Sequence, residues 1–487
     1  MNFKSTRGKE RGIKSAEAII RGIASDGGLF VPDNFPKIYE EAINKKGASY
    51  EELAYFIIGK FFTDFKLKEL KSAVKEAYTN RFAVNVEKNF LELYHGPTCA
   101  FKDAALLFLP QIMKRAKKNL NVDEEIVILT ATSGDTGKAA LEGFKDIEGF
   151  KVVVYYPQDG VSEIQKKQMI SQEGTNVYVV AIEGNFDNAQ QGVKEIFKNE
   201  KLKEDLLKNK IRLSSANSIN IGRLIPQIVY YFYGYMELIE NKRIKEGEKI
   251  NVSVPTGNFG NILAAFYAKK MGLPIDKLIC ASNENNVLSN FLKTGIYDRR
   301  RDLIITESPS MDILVSSNLE RLLYEVSGRN YKLVGELMNN LASNGLYEIT
   351  REMKEGLKEF YGNFSTTEEV YKAVQEVYVK DGYLMDTHTG VAYVVHKKYI
   401  EETGDNKETL IVSTASPFKF PRSICTSLGI DVEFMDDFRV LKTLFRESKN
   451  EIPESLKTLE NKKIMHTTAC KIDGMEETLK YYLGVNK

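Results

Sequence analysis

The stretch HGPTCAFKD, His95 to Asp103, follows a short apolar run (Phe90 to Tyr94) and opens an apolar helix candidate at Asp103. It places Lys102 in a short loop between a strand-like and a helix-like segment. Two later stretches stand in the same context. GNFGN, Gly257 to Asn261, lies between the run Ile250 to Pro255 and the helix-like Ile262 to Met271; STASPFKF, Ser413 to Phe420, follows Leu410 to Val412. Short apolar runs that end in Gly-, Ser- and Thr-rich turns and alternate with amphipathic stretches predict an α/β chain with parallel sheets covered by helices.

Strands are expected at Phe90–Tyr94, Ile126–Ala131, Val152–Tyr156, Val177–Ile182, Arg212–Ser214, Ile250–Pro255, Leu278–Ser282 and Leu410–Thr414. Helices are expected between them, including Asp103–Lys118, with Pro110 marking a kink or a restart. Residues 1–85 have helical periodicity apart from SDGGLFVPDNFP, Ser25 to Pro36, whose Gly pair and prolines read as a turn-rich corner or a rim of the site. From 284 to 405 the pattern is mainly helical, with Met311–Tyr324 and Ile349–Phe360 among the expected helices. The expected organisation is a helical segment over 1–85 and a catalytic region over 86–440. That region divides into a smaller α/β unit at about 105–225 and a larger one from the remainder. A charged tail over 441–487 is expected to pack on the larger unit.

The chain has 487 residues, 43% of them hydrophobic, with 68 Lys plus Arg against 67 Asp plus Glu. That balance argues against nucleic-acid and polybasic membrane partners. The four cysteines, Cys99, Cys280, Cys425 and Cys470, lie far apart without metal-ligand spacing, so no disulfide framework and no metal site are expected. The charged start and the lack of a long apolar run give no expectation of a secretory leader or membrane span, and a cytoplasmic location follows.

An amine able to condense with an aldehyde, a glycine-rich turn at a helix start and a late hydroxyl are the parts of a pyridoxal-phosphate site whose pyridine nitrogen meets a hydroxyl. Lys102 is the amine, and STASPFKF offers the hydroxyl from a Ser or a Thr. In GNFGN, backbone N–H groups at a helix N-terminus suit a phosphate, although glycine turns before helices are common. TATSGDTG, Thr130 to Gly137, crowds Thr132, Ser133, Asp135 and Thr136 at another helix start; it reads either as an N-cap turn or as a cradle for a carboxylate or phosphate. It is not a P-loop, because Lys138 is followed by Ala139. SSANSINIGR, Ser214 to Arg223, carries polar side chains and a basic one, fitting a capped surface helix or an anion pocket. The four histidines cannot be assembled into a Ser/His/Asp triad from spacing.

Together these stretches, with STRG near the start, SPSMDILVSSNLERLL at 308–323 and DTHTG at 386–390, resemble threonine synthase, a fold-type-II pyridoxal-phosphate family. The resemblance implies two α/β domains of the tryptophan synthase β type with an added N-terminal segment. It implies conversion of O-phospho-L-homoserine and water to L-threonine and phosphate by γ-elimination and β-addition, in a monomer or homodimer. By it, Lys102 bonds the cofactor. Gly257, Asn258, Phe259, Gly260 and Asn261 hold its phosphate, and Thr414 faces its ring nitrogen, with Asp135 nearby. Thr132, Ser133, Thr136, Asn217, Ser218 and Arg223 bind substrate. Where the family often has histidine this chain has Ser416. A phospho-lyase, a dehydratase and a non-catalytic relative are the alternatives.

Overall fold

The computed structural model describes residues 1–132, 134–158 and 161–485. Its larger sheet has six strands in the order Phe360–Phe364, Ile275–Ser282, Ile250–Pro255, Thr409–Ser413, Phe90–His95, Ala83–Glu87. The first five are parallel; Ala83–Glu87 closes the edge as an antiparallel partner of Phe90–His95. Every residue of Ile250–Pro255 and of Thr409–Ser413 is buried, as expected of a parallel sheet covered on both faces. A second sheet runs Ala469–Cys470, Val177–Ile182, Phe150–Pro157, Glu125–Ala131, Ile211–Ser214, all parallel.

The strand order determines where the site falls. Phe90–His95, Thr409–Ser413 and Ile250–Pro255 are neighbours although they are far apart in sequence. The loops leaving their C-terminal ends therefore lie side by side, and those loops carry Lys102, Thr414 and the 257–261 turn. In open α/β sheets this carboxyl edge is where ligands bind. The first two loops are also stapled together. Phe101 N donates to Thr414 O at 2.8 Å, Ser416 N to Cys99 O at 3.1 Å, and Ala100 bridges Ala415.

The N-terminal segment forms the helices Ser15–Arg21, Tyr39–Ile43, Tyr50–Gly59 and Leu67–Tyr78. Ser49 and Glu52 close a capping box on the third, satisfying N–H groups that would otherwise be orphaned. Tyr78 OH donates to Ala104 O at 2.6 Å, which ties the fourth to the helix that begins beside Lys102. The SDGG corner is not a helix: Phe30–Pro32 pairs with Phe3–Ser5. Pro110 lies in the first turn of Phe108–Asn119, a restart after Asp103–Leu106, where its missing N–H costs nothing.

Four expectations are corrected. Helix over Met311–Tyr324 forms only from Leu319; residues 312–318 are an irregular strap whose polar groups bond to the 257–258 turn instead of to a helix of their own. The expected helix Ile349–Phe360 stops as Arg351–Gly356 with a short 3-10 turn, and Phe360–Phe364 becomes the edge strand beside Ile275–Ser282. The boundary expected after residue 85 falls inside the strand Ala83–Glu87. The tail divides. Asp437–Ser448 buries Val440, Leu441 and Leu444 in the cluster that includes Phe90 and Ile411. Ala469–Cys470 and Met475–Leu483 instead join the smaller sheet, where Met475, Leu479 and Leu483 cover Val153, Tyr155 and Val180. A face of that sheet would otherwise expose apolar surface, and the tail helix buries it at about 25 cal/mol per Å².

Candidate active site

Lys102 caps the helix Asp103–Leu106, and its side chain is only 11% exposed. Its Nζ lies 3.3 Å from Asp135 Oδ2 and 3.1 Å from Ser310 Oγ. Burial lowers its pKa; Asp135 opposes that, and the charges of Lys419 and Arg223 add to it. A lysine so placed loses its proton more readily than an exposed one. The loop before it is fixed by Asp103, which accepts from Thr98 N at 2.9 Å and Thr98 Oγ1 at 2.7 Å. Burial pushes the Asp103 carboxyl up to about 6 against those two donors. Gly96 is required here because a Cβ would stand 2.4 Å from Asp103 Oδ2.

Asp135 opens the helix Asp135–Phe144 and is buried between two lysines. Lys419 Nζ, fully buried, pairs with its Oδ1 at 2.5 Å and donates to Thr98 O at 2.9 Å. Gln165 Nε2 donates to Asp135 Oδ1 at 3.0 Å. Burial alone would raise the Asp135 pKa, but Lys419 and then Lys102 outweigh it and hold the carboxylate well below its ordinary range. Removing Asp135 would strand Lys419 as a buried charge, a change that costs about 3–5 kcal/mol. Thr132 Oγ1 accepts from Gly134 N and Gly137 N, each at 3.0 Å, so it caps this helix. Thr136 is half-buried at the same helix start, and Ser133 lies outside the described residues.

The 257–261 turn begins the helix Gly260–Lys270. Phe259 takes the left-handed conformation, φ 63°, which swings the chain into the helix. Gly257 is explained by packing: a Cβ there would lie 2.9 Å from Ser310 O. Ser316 Oγ donates to Gly257 O at 2.8 Å, Asn318 N and Nδ2 to Asn258 O at 3.1 and 3.0 Å, and Ser317 Oγ to Asn258 Oδ1 at 3.1 Å. Asn261 Oδ1 accepts from Tyr230 OH at 2.9 Å and from Tyr231 OH, whereas its Nδ2 is buried with no partner. An orphaned donor beside unpaired N–H groups of a helix start fits an anionic group, and a phosphate supplies enough acceptors for all of them.

Arg223, on the short helix Ile221–Leu224, is buried. Its Nη1 donates to Ala216 O at 2.6 Å and its Nε has no partner. Among the described residues no carboxylate pairs with it, and burial pulls its pKa down to about 10. Ser218 Oγ accepts from Asn318 Nδ2 at 3.0 Å and meets Ser317 Oγ at 3.3 Å, so it borders the strap as well as the 257–261 turn. Asn217 is exposed. Thr414 is buried at the mouth of its strand, and Ser416 caps the next turn by accepting from Phe418 N at 3.3 Å. Cys99 is buried with its thiol pushed up to about 11, a packing residue. His95 turns to Glu92, 2.7 Å away, and not to Lys102.

Ser310, Gln165, Lys419, Asp386 and His388 also join the site, and no local sequence signal marks them as its members. SPSMD, SPFKF and DTHTG were visible as motifs, but nothing local says that 308–318 lies across the 257–261 turn.

A buried lysine, a helix start with an orphaned donor and a strand-end hydroxyl, all on the carboxyl edge of one parallel sheet, fit the fold-type-II class of pyridoxal-phosphate-dependent enzymes. Residues 89–415 match the family described as pyridoxal-phosphate dependent enzyme, and residues 2–78 match the threonine synthase N terminus. The chain belongs to the threonine synthase family. It is 37% identical to threonine synthase of Pseudomonas aeruginosa over 87% of this chain and 90% of that protein. The PLP-bound crystal structure of threonine synthase from Brucella melitensis superposes with a TM-score of 0.87 at 33% identity, over 99% of each chain. Human Threonine synthase-like 1 is 41% identical over 85% of this chain, which spans 58% of that longer protein.

Proposed function

We propose that the chain converts O-phospho-L-homoserine and water to L-threonine and phosphate. The observation that carries this reading is Arg223, a buried guanidinium with no counter-charge among the described residues and an unpartnered Nε. Such a charge is expensive unless an anion meets it. The 257–261 turn supports the cofactor's phosphate, which leaves Arg223 for a second phosphate, that of the substrate. A dehydratase acting on threonine or serine has no use for it.

When bound, the cofactor's conjugated ring supplies an electron sink for charge developing at the substrate α carbon. The chain's own groups do the rest. Lys102 would hold the cofactor, and its amine, once free, acts as a base. Its depressed pKa supports the neutral form that this needs. It takes a proton from the α carbon and then one from the β carbon. Arg223, with Asn217 and Ser218, neutralises the phosphate that departs from the γ carbon. The α proton leaves with the phosphate, Lys102 returns the β proton to the γ carbon, which becomes the methyl group, and water then adds its hydroxyl at the β carbon while its proton passes through Lys102 to the α carbon. Asp135 and Ser310 hold Nζ between these tasks, and Thr132, Ser133 and Thr136 are proposed to receive the substrate carboxylate. Thr414 would offer the ring nitrogen a hydroxyl in place of a carboxylate, and so would not hold a proton there.

The test is phosphate release from O-phospho-L-homoserine with chromatography of the organic product. One threonine per phosphate is expected. A keto acid in its place identifies a phospho-lyase, and no release sinks both. Thr414→Asp is expected to protonate the ring nitrogen, shift the cofactor's absorbance and divert turnover toward side products. If Thr414→Asp and Thr414→Val both keep the wild-type spectrum and rates, the hydroxyl is not at the ring.

A further inference from the structure

DTHTG, at 386–390, was left without a role, yet its histidine is buried and faces the strap. Asp386 caps the helix Thr387–Thr403, accepting from His388 N at 3.0 Å and Thr389 N at 3.1 Å. The same carboxylate receives His388 Nδ1 at 2.7 Å. An ionised carboxylate only accepts, so Nδ1 carries the proton and Nε2 is an acceptor. That acceptor is used: Ser310 N donates to His388 Nε2 at 3.2 Å. The ring is thus fixed from both sides in one neutral tautomer.

Ser310 lies in the 3-10 turn Pro309–Met311 that leads into the strap and meets Lys102, Asp135, Gly257 and His388. Its hydroxyl is 3.1 Å from Lys102 Nζ and 3.3 Å from Asp135 Oδ2. Its carbonyl is so close to Gly257 that no Cβ fits between them. Around it the strap is anchored by Asp312, which accepts from Thr306 N at 2.9 Å and from Asn283 and Asn285. At its far end Asn318 binds Asn258 and Arg321, and Arg321 reaches Phe30 O and Ile219 O. The Ser310 amide has one partner, His388.

We propose that His388 is a positioning residue: by accepting from the Ser310 amide it sets the strap at the point where it holds the Lys102 amine and lies against the 257–261 turn. It touches neither Lys102 nor that turn, and acts through Ser310. The proposal rests on Lys102 being the lysine that carries the cofactor.

Two substitutions separate this role from simple helix stabilisation. A glutamine amide oxygen stands where Nε2 stands, so His388→Gln keeps an acceptor for Ser310 and gives up the Asp386 bond. An asparagine amide nitrogen stands where Nδ1 stands, so His388→Asn keeps the Asp386 bond and leaves the Ser310 amide without a partner. Each variant is freed of cofactor and titrated with pyridoxal phosphate by absorbance, with the Tm of the cofactor-free protein measured alongside. The expected result is a Kd raised about tenfold or more in His388→Asn and within about threefold of wild type in His388→Gln. Equal affinities in the two, or weaker binding by His388→Gln than by His388→Asn, would overturn the proposal.

Should His388→Asn not fold, Ser310→Ala carries the test, because Ser310 is half-buried and the change leaves its amide in place. It is expected to slow condensation of the cofactor with Lys102 without lowering Tm, and an unchanged rate counts against the proposal. Borohydride labelling of wild type checks the underlying reading separately: label away from Lys102 removes that reading, whatever the His388 variants do.

Discussion

Lys102→Ala is expected to lose at least about a thousandfold in kcat, since one side chain supplies both the covalent attachment and the base. The cofactor should still bind, weakly, through the 257–261 turn, so loss of turnover will exceed loss of occupancy. In the wild-type protein, borohydride should fix the cofactor on the peptide containing Lys102. Lys419 is the informative competitor. It is also close to Asp135, but it is fully buried and engaged with both Asp135 and Thr98 O. Label on Lys419 would overturn the assignment. The pH dependence has a defined sign. Burial disfavours the Lys102 ammonium and Asp135 favours it, so condensation with added cofactor should turn on at a pH below that of an ordinary lysine. Asp135→Asn removes the favouring charge and should move that onset lower still. An onset moved upward by Asp135→Asn would show that Asp135 does not act on the amine.

Arg223→Ala is expected to cost about ten- to a few-hundredfold in kcat/KM for phosphohomoserine. Each charge-assisted hydrogen bond to a phosphate is worth about 1.5–3 kcal/mol, and about 1.4 kcal/mol is tenfold. Arg223→Lys should recover only part of that, because an ammonium lacks the planar fork. Cofactor absorbance should be unaffected, since the proposal gives the cofactor's phosphate to the separate 257–261 turn. Stability should move the other way. The guanidinium is buried at a cost and meets no counter-charge among the described residues, so Arg223→Met is expected to raise, not lower, the Tm of the cofactor-free protein. The measurements are kcat/KM, cofactor occupancy and Tm on the same preparations. Unchanged kcat/KM, or an Arg223→Ala protein that simply loses its cofactor, would remove Arg223 from the substrate pocket and restore the dehydratase alternative.

Much of the frame was legible in the sequence because its signals are local. A fully buried parallel strand must be a short continuous apolar run, and eight such runs were found close to their observed positions. A turn that presents N–H groups at a helix start needs residues that tolerate unusual backbone geometry, so GNFGN and TATSGDTG stood out. The reason given for Gly257 needed revising: the glycine makes room for Ser310 O, a contact across 53 positions that no local rule contains. The helix expected over Met311–Tyr324 failed for a related reason. Met311, Leu314, Val315 and Leu322 have helical spacing, but Ser316, Ser317 and Asn318 bond to the 257–258 turn in place of a helix of their own. Phe360–Phe364 was missed because an edge strand is defined by its neighbour more than by its own periodicity.

The sequence alone determined that this is an α/β chain with parallel sheets, that Lys102 stands at a strand-to-helix loop, and that a glycine-rich helix start and a hydroxyl-rich turn stand at two other strand ends. Periodicity, turn chemistry and capping operate within a few residues, and all three leave a mark in the chain. Tertiary structure alone decided the rest. The strand order puts 90–95, 409–413 and 250–255 side by side and so gathers their loops into one site. The pairing of Lys419 with Asp135 and the bond from Ser310 to His388 join residues 284 and 78 positions apart. Such contacts are set by which surfaces must be buried together and which polar groups must then be paired, and neither is expressed in the spacing of any single segment.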